Sequence, residues 1–144
     1  MTEYPVRRIL VPVDFSAPSG NALRFAHSLA NALGASIEVL HVMDPSDTLL
    51  DRVADRPSGG DPAAAQGLLR DFVAAVKSGS VPMTERVEQG EPYDRIVSLA
   101  SDEGFDLIVM GTQGRTGRPQ ALVGSVAESV VRMSPRPVLT VRGV

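Results

Sequence analysis

Leu107, Ile108, Val109 and Met110 follow one another without a polar break between Asp106 and Gly111. A strand with one wet face alternates polar and apolar. An unbroken run of this length and β-branched content suits a strand buried on both faces, as in a parallel sheet. Such a strand needs helices above and below it. The chain supplies more runs of the same kind and helical stretches between them.

Arg8 to Val13 (RILVPV) is a second apolar run, ending at Asp14, and reads as the first, central strand. Pro12 cannot donate a ladder hydrogen bond and belongs near its end. Ser36 to Val42 (SIEVLHV) is the second strand. Pro82 to Glu88 is the third, more polar and alternating, as expected near a sheet edge. Leu107 to Met110 is the fourth, and Pro137 to Arg142 (PVLTVR) the fifth. Between the first two, Ala22, Leu23, Ala26, Leu29, Ala30 and Leu33 recur at helical spacing, capped by Ser16 or Ser19, with Pro18 in the first turn and Gly34 as the stop. Asp61 and Pro62 open a second helix with Ala65, Leu68, Leu69, Phe72, Val73 and Val76 as its buried stripe and Gly79 as its end. Glu91-Pro92 opens a third, with Tyr93, Ile96, Val97 and Ala100 on one face and Gly104 closing it. A last helix runs from Val126 to about Met133, broken by Ser134-Pro135. Strand and helix alternate throughout, which predicts an α/β fold: a five-stranded parallel sheet with helices on both faces. Residues 1–144 read as one domain. Residues 44–60, rich in Pro, Gly, Ser and Asp, read as a mobile loop, either a lid or a solvated connection.

Gly111 ends the fourth strand, and glycines recur at Gly114, Gly117 and Gly124, the last followed by Ser125 and a helix. A glycine-rich loop between a buried strand and a helix N-terminus suits a phosphate, because loop and first-turn amides are free to point at it. No Gly-Lys-Ser/Thr follows, so this is not a Walker loop, and the late glycine does not fit a plain dinucleotide fingerprint. Ser125 with Glu128 also forms a capping box, compatible with an anion at the amides of Val126 and Ala127. Arg115 and Arg118 suit a polyphosphate tail or, for Arg118 equally, a solvated basic loop. Asp14, at the carboxyl edge of the first strand, anchors its turn or faces a ligand, and the glycine loop favours the ligand. His27 reads as a helix-surface residue. His41 reads as a strand-end residue packing on a neighbouring turn, with no nucleophile or carboxylate partner evident.

The formal charge of −3 argues against a nucleic-acid surface. There are no cysteines, hence no disulfides or thiolate metal sites, and two histidines on separate segments make no zinc centre. MTEYPVRRILVPVDF has no signal-peptide core, and no apolar run approaches the roughly 20 residues that span a bilayer, so a cytoplasmic protein without membrane insertion is expected.

The spacing Gly111-x2-Gly114-x9-Gly124-Ser125, together with RILVPVDFS, EVLHV, GSVAESVV and RPVLTVR, resembles the ATP-binding branch of the universal stress protein family. The resemblance implies a Rossmann-like fold of the adenine nucleotide alpha hydrolase type, with strand order three-two-one-four-five. It implies that Asp14 and the Val42 backbone hold the adenine and ribose side, and that Pro12, Val13, Met110 and Gly111 line the nucleoside pocket. It further implies that Gly114, Arg115, Gly124, Ser125, Val126 and Ala127 hold the phosphates, with Mg or Mn bound through them. Gln113 stands where relatives often carry histidine or arginine. The implied function is a nucleotide-dependent stress-response module binding ATP. A homodimer through the last strand, Val138 to Arg142, would cover an exposed sheet edge. The alternative is a slow ATP hydrolase or adenylyl-transfer enzyme on the same fold. The chain carries no His-x-Gly-His adenylylation motif, no Ser-Gly-Gly-x-Asp-Ser loop and no evident general base. A flavodoxin-type phospho-receiver would need an acidic pair, a further aspartate and a lysine at strand ends, and the sequence offers no such set.

Overall fold

The computed structural model describes residues 3–44, 61–112 and 125–142. In chain order these form β1 (Arg8–Pro12), α1 (Ala17–Leu33), β2 (Ser36–Met43), α2 (Pro62–Ala74), β3 (Met83–Gln89), α3 (Pro92–Asp102), β4 (Leu107–Gly111), α4 (Ser125–Met133) and β5 (Val138–Val141). The strands make one five-stranded sheet of order β3-β2-β1-β4-β5. Every pairing is parallel, with Ile9 opposite both Ile37 and Leu107.

Alternation along each strand sorts the core into two clusters. Ile9, Val11, Ile37, Val39, Leu107 and Val109 face α1 and α2, where Leu23, Ala26, Leu69 and Val73 meet them. Leu10, Leu40, Val42, Ile108 and Met110 face α3 and α4, where Ile96, Leu99, Ala127 and Val130 meet them. Both faces of β1 and β4 are therefore dry, which is why those strands carry no polar residue between Ile9 and Val11 or between Leu107 and Met110.

The helix starts follow their caps. Ser16 Oγ accepts from Ser19 N, and Asp61 Oδ1 accepts from Ala63 N. Gly34, at φ +70°, closes α1 in the left-handed conformation, and its N–H returns to Ala30 O. At the amino end of the sheet, Asp106 Oδ2 accepts from the amides of Arg7 and Arg8, and Tyr4 Oη donates to Asp106 O. Arg8 lies over the Phe105 ring at 4.2 Å and donates to Glu103 O.

Some expected boundaries move. β1 ends at Pro12 rather than Val13: Val13 N still bonds Leu40 O, but the chain then turns. β2 and β3 each run one residue further, to Met43 and Gln89. Leu33, placed in the α1 stripe by spacing, is exposed. α2 stops at Ala74, well before Gly79, and Ala75 closes it by bonding back to Asp71 O and Val73 O. Leu99, absent from the expected α3 stripe, is one of its buried residues. Apart from Asp44, the expected mobile loop lies outside the described residues.

Candidate functional site

β1 is the strand at which the winding changes direction: β2 lies on one side, β4 on the other. In such sheets the crevice beyond the carboxyl ends of the two diverging strands is where ligands bind. The register shows what stands there. The pairing ends at Pro12 opposite Leu40 on one side and at Leu10 opposite Ile108 on the other, so Asp14 stands just past the end of β1, Val42 near the end of β2 and Thr112 just past the end of β4.

The Asp14 turn is heavily bonded. Asp14 Oδ1 accepts from Ser16 N at 3.0 Å, and Asp14 N points to Ser19 Oγ at 3.4 Å. Ser19 Oγ donates to Ser16 O at 2.9 Å, and the residue is buried although polar. Phe15 sits at φ +66°, alone among the described non-glycine residues in having a positive φ. Val13 is buried and its carbonyl accepts from His41 Nδ1 at 2.9 Å; a carbonyl only accepts, so Nδ1 carries the proton. Pro12 is also buried at the end of β1.

On β2, Leu40 O accepts from Val13 N on the β1 side, whereas Met43 O accepts from Gly90 N on the β3 side. Backbone groups alternate sides along a strand, so Val42 presents its carbonyl toward β1, just past the end of that strand's ladder. The backbone reading of Val42 rests on this parity, since its side chain is packed into the core below α3 and α4.

On β4, Met110 is core, facing the same cluster as Val42. Gly111 is half-buried, and the structure gives its bareness a structural reason. A Cβ there would lie 3.0 Å from both the backbone carbon and oxygen of Pro18, in the first turn of α1. Thr112 follows, buried, with its amide on Val141 O at 3.0 Å. Sequence reasoning passed over Thr112 and Phe15. The signal for Phe15 is only that it sits between Asp14 and the Ser16 cap, where a chain leaving a strand for a helix must reverse sharply.

α4 begins at Ser125. Ala127 is buried and Val126 half-buried in the cluster that also holds Val42 and Met110, so what these two residues turn outward is backbone. The first-turn amides of a helix have no intrahelical acceptor. Gly114, Arg115 and Gly124, with Gln113, Gly117 and Arg118, lie outside the described residues, as does the side chain of Ser125. The described part of the site is therefore the carboxyl edge of β1, β2 and β4 and the floor under the α4 start.

Beside the crevice, level with Val42, stands Glu88 of β3. Glu88 accepts from Arg86 Nε at 3.0 Å and Arg95 Nη2 at 2.8 Å, and Arg86 also reaches both oxygens of Glu103. The hydrogen bonds from Arg86 and Arg95 hold the Glu88 carboxyl below its ordinary range. Partial burial works against the charge on Arg86, but the hydrogen bonds to Glu88 and Glu103 outweigh it and raise its pKa. This network ties α3 to the β3 edge. His27, on α1, has Nε2 3.0 Å from Ser78 O, away from the crevice. Among the described residues, no group of three or more His, Cys, Asp or Glu side chains could hold a metal ion, and no helix is long and apolar enough to cross a membrane.

The model of the universal stress protein family matches residues 5–142. The chain belongs to that family. Among its relatives is the universal stress protein MJ0577 of Methanocaldococcus jannaschii, 28% identical over 153 aligned residues that cover 94% of each chain. Another, from Thermus aquaticus, is 32% identical over 144 residues, covering 94% of this chain and 98% of that one. The solved structure of MJ0577 superposes with a TM-score of 0.81 at 27% identity, covering 96% of both chains. A universal stress protein solved in complex with cAMP superposes with a TM-score of 0.71 at 27% identity, covering 97% of this chain and 99% of that one. The sheet order expected from the resemblance is the order found.

Proposed function

We propose that this universal stress protein binds an adenine nucleotide, ATP in its full form, in the crevice between the carboxyl ends of β1 and β4. The observation that carries the reading is what gathers at the strand ends where the sheet changes direction: the Asp14 carboxylate just past β1, the Val42 carbonyl turned toward β1, and Gly111 closing β4. Pro12, Val13, Met110 and Gly111 floor the nucleoside side. The phosphates run toward the α4 N-terminus, where the amides of Ser125, Val126 and Ala127, with Gly114, Arg115 and Gly124, receive them. A structural relative in complex with cAMP supports an adenine ligand. Mg or Mn, bound through those phosphates, would neutralise their charge.

The function that follows is regulatory. Nucleotide occupancy alters a second copy or another partner, and the chain acts as a stress-response module in the cytoplasm. The second copy docks on the β5 edge. Both helices bordering β5 leave large apolar side chains exposed, Phe25 and Leu33 on α1 and Val131 and Met133 on α4. Leu139 and Val141 of β5 itself are only half-buried. An unpaired edge flanked by apolar residues on both faces is the kind of surface a self-complementary dimer covers.

A thermal-shift titration with ATP, ADP, AMP and cAMP tests the nucleotide reading. At a hundredfold excess over Kd the bound fold gains about 2.7 kcal/mol. Gly124→Val should abolish the shift while the protein stays folded, and Asp14→Ala should weaken binding by about tenfold to a hundredfold, as expected for a hydrogen bond to a charged group. The absence of a shift with every adenine nucleotide rejects the reading. Multiple-turnover phosphate release that disappears in Asp14→Ala would favour the hydrolase instead.

A further inference from the structure

The two chain neighbours of Asp14 are both held by one side chain of the adjacent strand. His41 Nδ1 donates to the carbonyl of Val13 at 2.9 Å, and the His41 ring lies against Phe15 with centroids 4.4 Å apart and planes inclined at 42°. From the other side, Phe72 of α2 meets Phe15 edge-on at 5.6 Å. Phe15 is also the residue forced to a positive φ, a conformation that bulky side chains adopt only when their surroundings impose it. The turn that Phe15 makes brings the Ser16 amide back onto Asp14 Oδ1 at 3.0 Å.

We propose that His41, with Phe72, is a positioning device for Asp14. The pair grips Phe15 in its strained turn and so fixes where the Asp14 carboxylate stands relative to the Val42 backbone. His41 is suited to this because it precedes Val42 on the same strand and is itself buried. It therefore ties the β1 turn to the β2 end, the two walls between which the proposed nucleoside lies. The imidazole touches no ligand in this account. Its Nδ1 proton is committed to the Val13 carbonyl, and the ring serves as a packing plate. The consequence for affinity rests on the nucleotide reading above. The consequence for the turn does not.

Three variants separate the two grips. His41→Phe keeps a ring against Phe15 and removes the donor. His41→Asn keeps an N–H close to the place of Nδ1 and removes the ring. Phe15→Ala removes the gripped ring and leaves the donor in place. The primary readout is residue-resolved amide exchange in the ligand-free protein, at Ser16, with Ile9 and Val11 of β1 as controls. Exchange at Ser16 should accelerate by about fivefold or more in His41→Phe and Phe15→Ala, with the controls unchanged. His41→Asn should recover part of the protection lost in His41→Phe. ATP affinity, measured by calorimetry on the same proteins, should fall by about tenfold in the two variants whose Ser16 amide is exposed, and less in His41→Asn. If either large change prevents folding, Phe72→Leu, which trims a half-buried ring, takes its place with the same expected direction. Folded variants that melt at lower temperature yet keep Ser16 protected as in the parent would overturn the proposal, since His41 would then be packing alone. If the parent binds no ATP, the nucleotide reading fails, while the exchange result still decides whether His41 positions the turn.

Discussion

Gly111 shows how one missing Cβ serves two needs. Its position just after a buried strand suggests room for a ligand, and in the fold it first makes room for α1. The Pro18 backbone passes within 3.0 Å of where its Cβ would be, and backbone cannot swing aside as a flexible side chain can. Gly111→Ala should therefore cost about 1–3 kcal/mol by forcing α1 off β4. Gly67 in α2 is the internal control, because nothing lies within 4 Å of its would-be Cβ. Gly67→Ala should stabilise by about 0.5–1 kcal/mol, through helix propensity and a less flexible unfolded chain. Urea denaturation of the two variants beside the parent measures both. Equal effects of the two substitutions would show that Pro18 is not the constraint.

At the scale of elements, α3 is fastened to the β3 edge less by apolar area than by charge. Glu88 accepts from Arg86 and Arg95, and both its oxygens are used. Because its folded pKa lies below the ordinary value of 4.5, the folded state binds its proton less readily than the unfolded chain. The stabilisation is thus complete above that value and is lost as pH falls through the lower, folded one. Glu88→Gln should destabilise the protein at neutral pH. Its difference from the parent should shrink as the solution is acidified below 4.5, read from denaturation midpoints across pH. A difference that stays constant with pH would assign the effect to packing.

The same elements show what could be read from the residues. The strands and the sheet's double covering were legible because two dry faces leave a continuous apolar run, as in Leu107–Met110, whereas β3 betrayed its edge position by alternating. Helix starts were legible where a Ser or Asp cap stands before a proline. Helix ends were not: Gly79 looks like a stop, yet α2 ends at Ala74, and Val76 beyond that end still packs on the core. Of the candidate site, strand ends alone put Asp14, Val42 and Gly111 at the carboxyl edge of the sheet. The Pro18 approach to Gly111 and the grip of His41 on Val13 and Phe15 are contacts between segments far apart in sequence, and no local pattern encodes them.

For the whole molecule, two surfaces matter: the crevice at the carboxyl edge and the open side of β5. If a second copy covers β5, a charged residue there should split the pair. Leu139→Lys together with Val131→Glu should convert a dimer into a monomer in analytical ultracentrifugation while the circular dichroism stays that of the parent. A parent that sediments as a monomer at every concentration would remove the dimer from the account. Whether the crevice holds a nucleotide is decided by a crystal structure grown with excess Mg-ATP. The nucleoside should lie between Asp14 and the Val42 backbone, with the phosphates against the first turn of α4. A crevice left empty at saturating nucleotide, or a nucleotide bound elsewhere on the chain, would contradict it.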